Sequence, residues 1–229
     1  MYAIVIAGGK AERLRPLTDD RPKHMLPILD KPILEYHVEW LRDSGVTDII
    51  LACGHLANVI QEYFDDGARW GVSIRYSIET QSLGRGGALK LAASQLPPGE
   101  PYVIGTNGDN VNTQPLAPVI RRHQRARAIA TLMLVQLRSP YGIVRQRGNR
   151  ITGFEEKPLL PHWLSAGVYV LQPEFFERCP DVGDHEDELF PQLVEEGKLY
   201  AFRSKSYWKA IDTVKDLNEA GAYFASRTK

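Results

Sequence analysis

Apolar positions along the 229-residue chain gather into short continuous runs, separated by stretches in which they recur at helical spacing. The first run begins at the second residue and has the length of a buried strand. Residues 49–53, 72–78, 102–106 and 129–137 read as further strands. Ile33, Leu34, His37, Val38 and Leu41 share one face of a predicted helix, which Gly45 is placed to end. Helices are also predicted over 56–66, closed by Gly67, over 86–96, broken by Pro97-Pro98-Gly99, and over 116–126. This alternation predicts an α/β fold with a mostly parallel sheet and helices on both faces. From 139 to 206 the pattern is less regular, apart from a hairpin over 144–154 that turns at Gly148-Asn149. A last helix is expected over 214–226. No repeat, low-complexity run or linker interrupts the chain, so a single domain over 1–229 is expected.

Composition narrows the function classes. The 28 basic and 28 acidic residues cancel, which argues against a nucleic-acid partner held by bulk charge. The two cysteines, Cys53 and Cys179, form no C-x-x-C pair and suggest neither zinc nor a disulfide framework. Cys53 sits in an apolar strand and reads as a small core residue. No leader precedes the first strand, and no apolar run approaches the ~18 residues of a membrane span, so a cytoplasmic protein without a membrane partner is expected.

The chemistry concentrates in residues 3–27, AIVIAGGKAERLRPLTDDRPKHMLP. Gly8 and Gly9 follow the first strand, where backbone N–H groups can approach an anion, and Arg13, Arg15, Arg21 and Lys23 add positive charge nearby. Such a loop suits a polyphosphate, pointing to a nucleoside triphosphate. Neither G-x-G-x-x-G nor the P-loop spacing is present, which disfavours a nicotinamide-dependent dehydrogenase. The whole string resembles the opening of the sugar-1-phosphate nucleotidyltransferases, with Gly8, Gly9, Arg13, Leu14, Pro16, Leu17, Thr18, Pro22, Lys23 and Pro27 in register. It departs at Ala11, where the family usually has glycine, and at Glu12, often threonine.

Further motifs carry the resemblance along the chain. T-N-G-D-N at 106–110 reads either as a tight turn or as a cation site, and the family's N-G-D makes Asp109 a magnesium ligand, with Asn107 beside it. Near the C-terminus many relatives carry W-x-D-x-G-T, whereas this chain has Ala210 in place of the acid and Asp212 two residues later. Asp212 is therefore either the second metal ligand or the N-cap of the last helix, a role Thr213 could also fill. In G-F-E-E-K-P, the resemblance assigns Glu156 to sugar hydroxyls and Lys157 to the sugar phosphate. Ser165 stands where the family's N-A-G-x-Y has asparagine. The base pocket is expected from the Ala7 and Gly8 backbone and the loop E-T-Q-S-L-G-R-G-G-A, with Gln81 at the base edge and Gly84 in the loop.

The resemblance implies a Rossmann-like fold carrying a small β-rich sugar-binding insertion. Residues 1–137 would mainly bind nucleotide, and 138–229 mainly sugar phosphate. After Ser206 no six-residue period appears, so no C-terminal β-helix is expected. The implied reaction moves a nucleotidyl group from a nucleoside triphosphate to a sugar 1-phosphate, with Mg²⁺, releasing pyrophosphate. Arg13, Lys23 and Asp109 are its expected catalytic residues. Mannose 1-phosphate with GTP is the favoured pair. Uridylyl or thymidylyl transfer to glucose or MurNAc 1-phosphate, and cytidylyl transfer to a sugar or alcohol phosphate, are alternatives. A silent nucleotide-binding regulatory subunit is the non-enzymatic one, and homo-oligomerisation is left open.

Overall fold

The computed structural model describes residues 1–9 and 11–227. β1 (Tyr2–Ala7) leads through two single helical turns and a minimal ladder of β2 (Pro27–Ile28) and β3 (Lys31–Pro32) into α1 (Ile33–Asp43). There follow β4 (Asp48–Cys53), α2 (Ala57–Phe64), β5 (Ser73–Ile78), α3 (Gly84–Ala93), β6 (Val103–Asn107), β7 (Asn110–Asn112), α4 (Leu116–Ala126) and β8 (Ala130–Arg138). The last part supplies β9 (Ile143–Arg147), β10 (Arg150–Glu155), β11 (Leu159–Leu171), α5 (Pro173–Arg178), α6 (His185–Glu195), β12 (Leu199–Arg203), β13 (Trp208–Ala210) and α7 (Val214–Ala225).

Seven strands join in the order β12-β8-β11-β6-β1-β4-β5. Only β11 runs antiparallel to its sheet neighbours. Helices cover both faces, which explains why the inner strands read as unbroken apolar runs. Ala3, Val5 and Ala7 of β1 pack with Leu34, Val38, Ile60, Phe64 and Val119 on one side. Ile4 packs with Leu89, Phe175, Phe176 and Leu189 on the other. Cys53 and Cys179 are free and lie one in each of these clusters. A smaller cluster holds α7 against the segment after β1, through Leu14, Leu26, Ile28, Ile211 and Ala220. Among the described residues, no helix is long and apolar enough to cross a membrane.

The strand order creates the crevice. From β1 the chain steps outward to β4 and β5, then returns to place β6 on the other side of β1. The loops after β1 and β6 thus part at the carboxyl ends of neighbouring strands, where open α/β sheets bind ligands.

The predicted hairpin forms as β9 and β10, a separate two-stranded sheet that turns at Gly148-Asn149. The rest of 139–206 is more regular than its sequence suggests. The 13-residue β11 runs through the middle of the sheet. Its pairing shifts register after Leu159 and again after Ser165, and such irregularities break the two-residue period. α2 also ends differently from the expectation. Asp65, at φ 46°, takes the C-cap, and Gly67 opens the next helical turn.

Candidate active site

After β1 the chain passes Gly8 and Gly9 into a short turn, Glu12–Leu14, whose preceding Ala11 is left-handed at φ 48°. The Thr18 hydroxyl closes this loop by donating to the Ala11 carbonyl at 3.2 Å. Pro22 starts a second single turn, Lys23–Met25, that buries Lys23 and His24 beneath the crevice. The Lys23 ammonium lies 2.9 Å from Asp109 Oδ2 and 3.1 Å from Asp212 Oδ1, with its side chain only 9% exposed. Arg13 Nη2 reaches the same Asp212 oxygen at 3.1 Å from the solvent side.

Two carboxylates about a hundred residues apart in sequence meet because a small ladder brings them together. β7, directly after the Asp109 turn, pairs antiparallel with β13, placing Ala210 opposite Asn110. The pairing continues one step further, with Ile211 N–H donating to the Asp109 carbonyl at 3.0 Å. Residues two apart in an extended segment point the same way, so an acid moved from 210 to 212 can still serve one side. Thr213 settles the competing role. Its hydroxyl accepts from the Asp216 N–H, and Asp216 returns the bond to the Thr213 backbone in a capping box. Asp212 is not needed as the cap.

Burial pushes the Asp109 carboxyl up, but the adjacent Lys23 charge and its hydrogen bond outweigh this and hold it below the ordinary range. Asp109 is thus a carboxylate at neutral pH. The turn carrying it is braced from below by His37, whose Nδ1 lies 3.2 Å from the Asn110 carbonyl and Nε2 3.1 Å from the Thr106 hydroxyl. A carbonyl only accepts, so Nδ1 carries the proton, while the Thr106 hydroxyl beside Nε2 donates to the Gly167 carbonyl at 3.0 Å. Burial lowers the His37 pKa to about 4, which keeps the ring neutral in this role. His24 Nδ1 and Asn107 Oδ1, both buried beside this turn, have no hydrogen-bond partner among the described residues.

The donor set suits a hard cation. Two carboxylates converge on one positive charge, and Mg²⁺ is bound in this way by one or two carboxylates plus substrate phosphates. Among the described residues, no group of three or more His, Cys, Asp or Glu is arranged to hold a metal.

The remaining expected residues are placed less tightly. Ala7 is buried at the end of β1, and Asn107 ends β6. Glu156 and Lys157 lie in the exposed loop after the hairpin, 3.8 Å apart. Among the described residues, no hydrogen bond or ion pair joins them to the Lys23 cluster. Ser165 lies within β11, where its hydroxyl accepts from Gly167 N–H. Gln81 is exposed. The glycines around Gly84 have a packing explanation. A Cβ at Gly84 would stand 2.5 Å from the Gly183 carbonyl, and one at Gly87 2.4 Å from that of Asp181. The α3 entry is pressed onto the segment before α6, and Asp184 clamps it by accepting from the Arg85 N–H and guanidinium, each at 2.9 Å. Sequence reasoning missed this clamp, the His37 brace and Glu79, whose carboxylate lies against Gly8 and Gly54. Glu79 and Arg85 stood in the quoted loop motif, whereas Asp184 and His37 stood in none.

Known proteins share this fold. The family model described as nucleotidyl transferase matches residues 2–227. The chain is 34% identical to a UTP–glucose-1-phosphate uridylyltransferase from Synechocystis, covering 96% of this chain and 62% of the relative. It is 31% identical to the mannose-1-phosphate guanylyltransferase catalytic subunit beta of Dictyostelium discoideum, covering 99% and 65%. The chain thus spans somewhat under two thirds of the length of these curated relatives. Among solved structures, HddC from Yersinia pseudotuberculosis superposes with a TM-score of 0.79 at 25% identity, over 97% of this chain and 99% of that one. A UDP-glucose pyrophosphorylase crystallised with UDP-glucose has the same fold, with a TM-score of 0.77 at 21% identity over 99% and 98%. With nearly every described residue inside the family match, the chain belongs to the nucleotidyl transferase family.

Proposed function

We propose that the protein transfers a nucleotidyl group from a nucleoside triphosphate to a sugar 1-phosphate, forming a nucleotide sugar and pyrophosphate. One observation carries this reading: Lys23 is held between Asp109 and Asp212, with Arg13 beside them, at the crevice where the strand order reverses between β1 and β6. The family match and the two curated relatives, both named for transfer to a sugar 1-phosphate, support it.

The triphosphate lies along the Gly8–Gly9 loop toward Arg13 and Lys23. A sugar phosphate oxygen is already nucleophilic, so no protein base is needed and catalysis is positioning and electrostatics. That oxygen attacks the α-phosphorus in line, a new P–O bond forms, and the bond to the pyrophosphate oxygen breaks. Lys23 and Arg13 offset the charge gathering on the reacting and departing oxygens. Asp109 and Asp212 are the residues that would hold Mg²⁺, which when bound neutralises phosphate charge and orients the α-phosphate. Lys157 binds the sugar phosphate, Glu156 the sugar hydroxyls, and Ser165 stands on the strand between them and the core.

Mannose 1-phosphate with GTP is the favoured pair, and glucose 1-phosphate with UTP the next. Pyrophosphate release with GTP, UTP, dTTP and CTP against mannose and glucose 1-phosphates tests the reading. Release should require both substrates and fall on chelation of Mg²⁺. A chain that binds triphosphate but releases no pyrophosphate with any pair would be a silent regulatory relative instead.

A further inference from the structure

β9 and β10 pair only with each other, and every residue from Ile143 to Thr152 is exposed. A two-stranded ribbon with water on both faces is marginally stable at best. Cross-strand partners share a face, so the pairing sorts its side chains. Val144 with Phe154 and Gln146 with Ile151 line one face, where Ile151 and Phe154 are 63% and 65% exposed. Arg145, Arg147 and Arg150 line the other, and Arg147 stands directly opposite Arg150. Like charges set opposite each other repel. Among the described residues, none of these three arginines forms an ion pair. Each face of the ribbon thus lacks what would stabilise it, an apolar cover on one side and acids on the other.

The same chain carries a surface of opposite sign. Charge balances over the whole chain but not locally: residues 138–154 hold four arginines and no acid, and residues 174–196 hold nine acids and one arginine. Some of those acids pair within the chain, with Arg85, Lys90 and Arg178. Asp187, Glu188 and Glu195, exposed on α6, form no ion pair among the described residues. Both patches belong to one flank. The ribbon leaves the carboxyl end of β8, and α6 leads into β12, the parallel neighbour of β8 at the edge of the sheet. From this placement we propose that two copies of the chain associate through that flank. The apolar faces of the two ribbons meet about a two-fold axis, and the arginine face of each lies against α6 of the other copy. Such an axis makes the contact self-complementary. It covers both faces of the ribbon at once and sets acids beside Arg147 and Arg150. An anionic membrane would meet one face only, because the arginines and the apolar side chains point in opposite directions.

Sedimentation of the full chain at low salt should show a concentration-dependent dimer that dissociates in about 1 M NaCl, where charges are screened within about 3 Å. Arg147→Glu with Arg150→Glu should raise the dimer dissociation constant about tenfold or more, and so should Asp187→Lys with Glu188→Lys. Each reversed variant meets a like charge in its own dimer. In a mixture of the two, every ribbon faces an α6 of opposite sign, so the mixture should regain association. Misfolded variants could not produce that result. Ile151→Asp, which sets a charge beside the axis, should weaken the dimer about tenfold or more. Hydrogen exchange on the wild type reads the contact without substitutions. The amides of 143–155 and 185–196 should slow together as concentration rises through the dimer midpoint. None of these measurements depends on turnover. A wild type that stays a single chain at low salt overturns the proposal. So does a mixture that fails to reassociate when those amides show no slowing. Binding of a single, undimerised chain to phosphatidylserine vesicles through the ribbon would assign it to a membrane surface instead.

Discussion

Lys23 and Lys157 each stand next to a proline in a recognisable motif, and the fold treats them in opposite ways. Lys23 is 9% exposed and pinned between Asp109 and Asp212. Lys157 is 48% exposed and sits at φ 48°, and its ammonium lies 3.8 Å from Glu156. Stranding a buried charge costs several kcal/mol, whereas an exposed pair contributes about 0–1 kcal/mol. One pole of the crevice is thus organised before substrate arrives. The other is an exposed charge on the loop after the hairpin, without a buried partner among the described residues.

The largest effect should come from breaking the organised pole. Lys23→Ala or Asp109→Ala should lower kcat by ~10²-fold or more, the scale for one preorganised charge-stabilising group. Lys157→Ala should act mainly through KM for the sugar phosphate, by about tenfold, with urea stability unchanged within ~0.5 kcal/mol. Equal kcat losses at the two lysines would erase the contrast.

A smaller effect should appear with pH. His37 braces the Asp109 turn as a neutral ring, with its pKa lowered to about 4 by burial. Its contribution is full above the unfolded value of about 6.5 and is lost as pH falls toward 4, because the unfolded chain takes up the proton first. Urea unfolding at pH 7 and pH 5 should show a loss of about 2 kcal/mol from this residue. In His37→Asn the slope between those pH values should be shallower by about one proton. An unchanged slope would mean the ring titrates normally in the fold.

The smallest expected change is at the loop entering the organised pole. Ala11 holds φ 48°, where a Cβ costs roughly 1–2 kcal/mol and glycine's greater unfolded freedom returns about half of it. Ala11→Gly should raise stability by about 0.5–1 kcal/mol in urea unfolding. A destabilised variant would show that the loop conformation is held by something other than its backbone preference.

How much was legible follows from the range over which each feature is determined. The helix α1 with Gly45 behind it, the apolar strands β1 and β4, and the hairpin turning at Gly148 depend on residues within one turn or one pleat, so periodicity and turn chemistry reveal them. β11 was hidden because its two register shifts break the alternation that marks a strand. Arg13, Lys23, Asp109 and Asp212 could all be picked from motifs, but not their meeting.

The sequence by itself determined the layered α/β plan and the identity of the charged residues, since burial on both faces and backbone chemistry leave local marks. Tertiary structure alone decided that β13 lies on β7, bringing Asp212 to Lys23, and that Glu79 rather than Gln81 rests against Gly8. Those outcomes depend on pairing register and close approach between segments tens to a hundred residues apart. No local pattern encodes such approach, because the partner that fixes it is elsewhere in the chain.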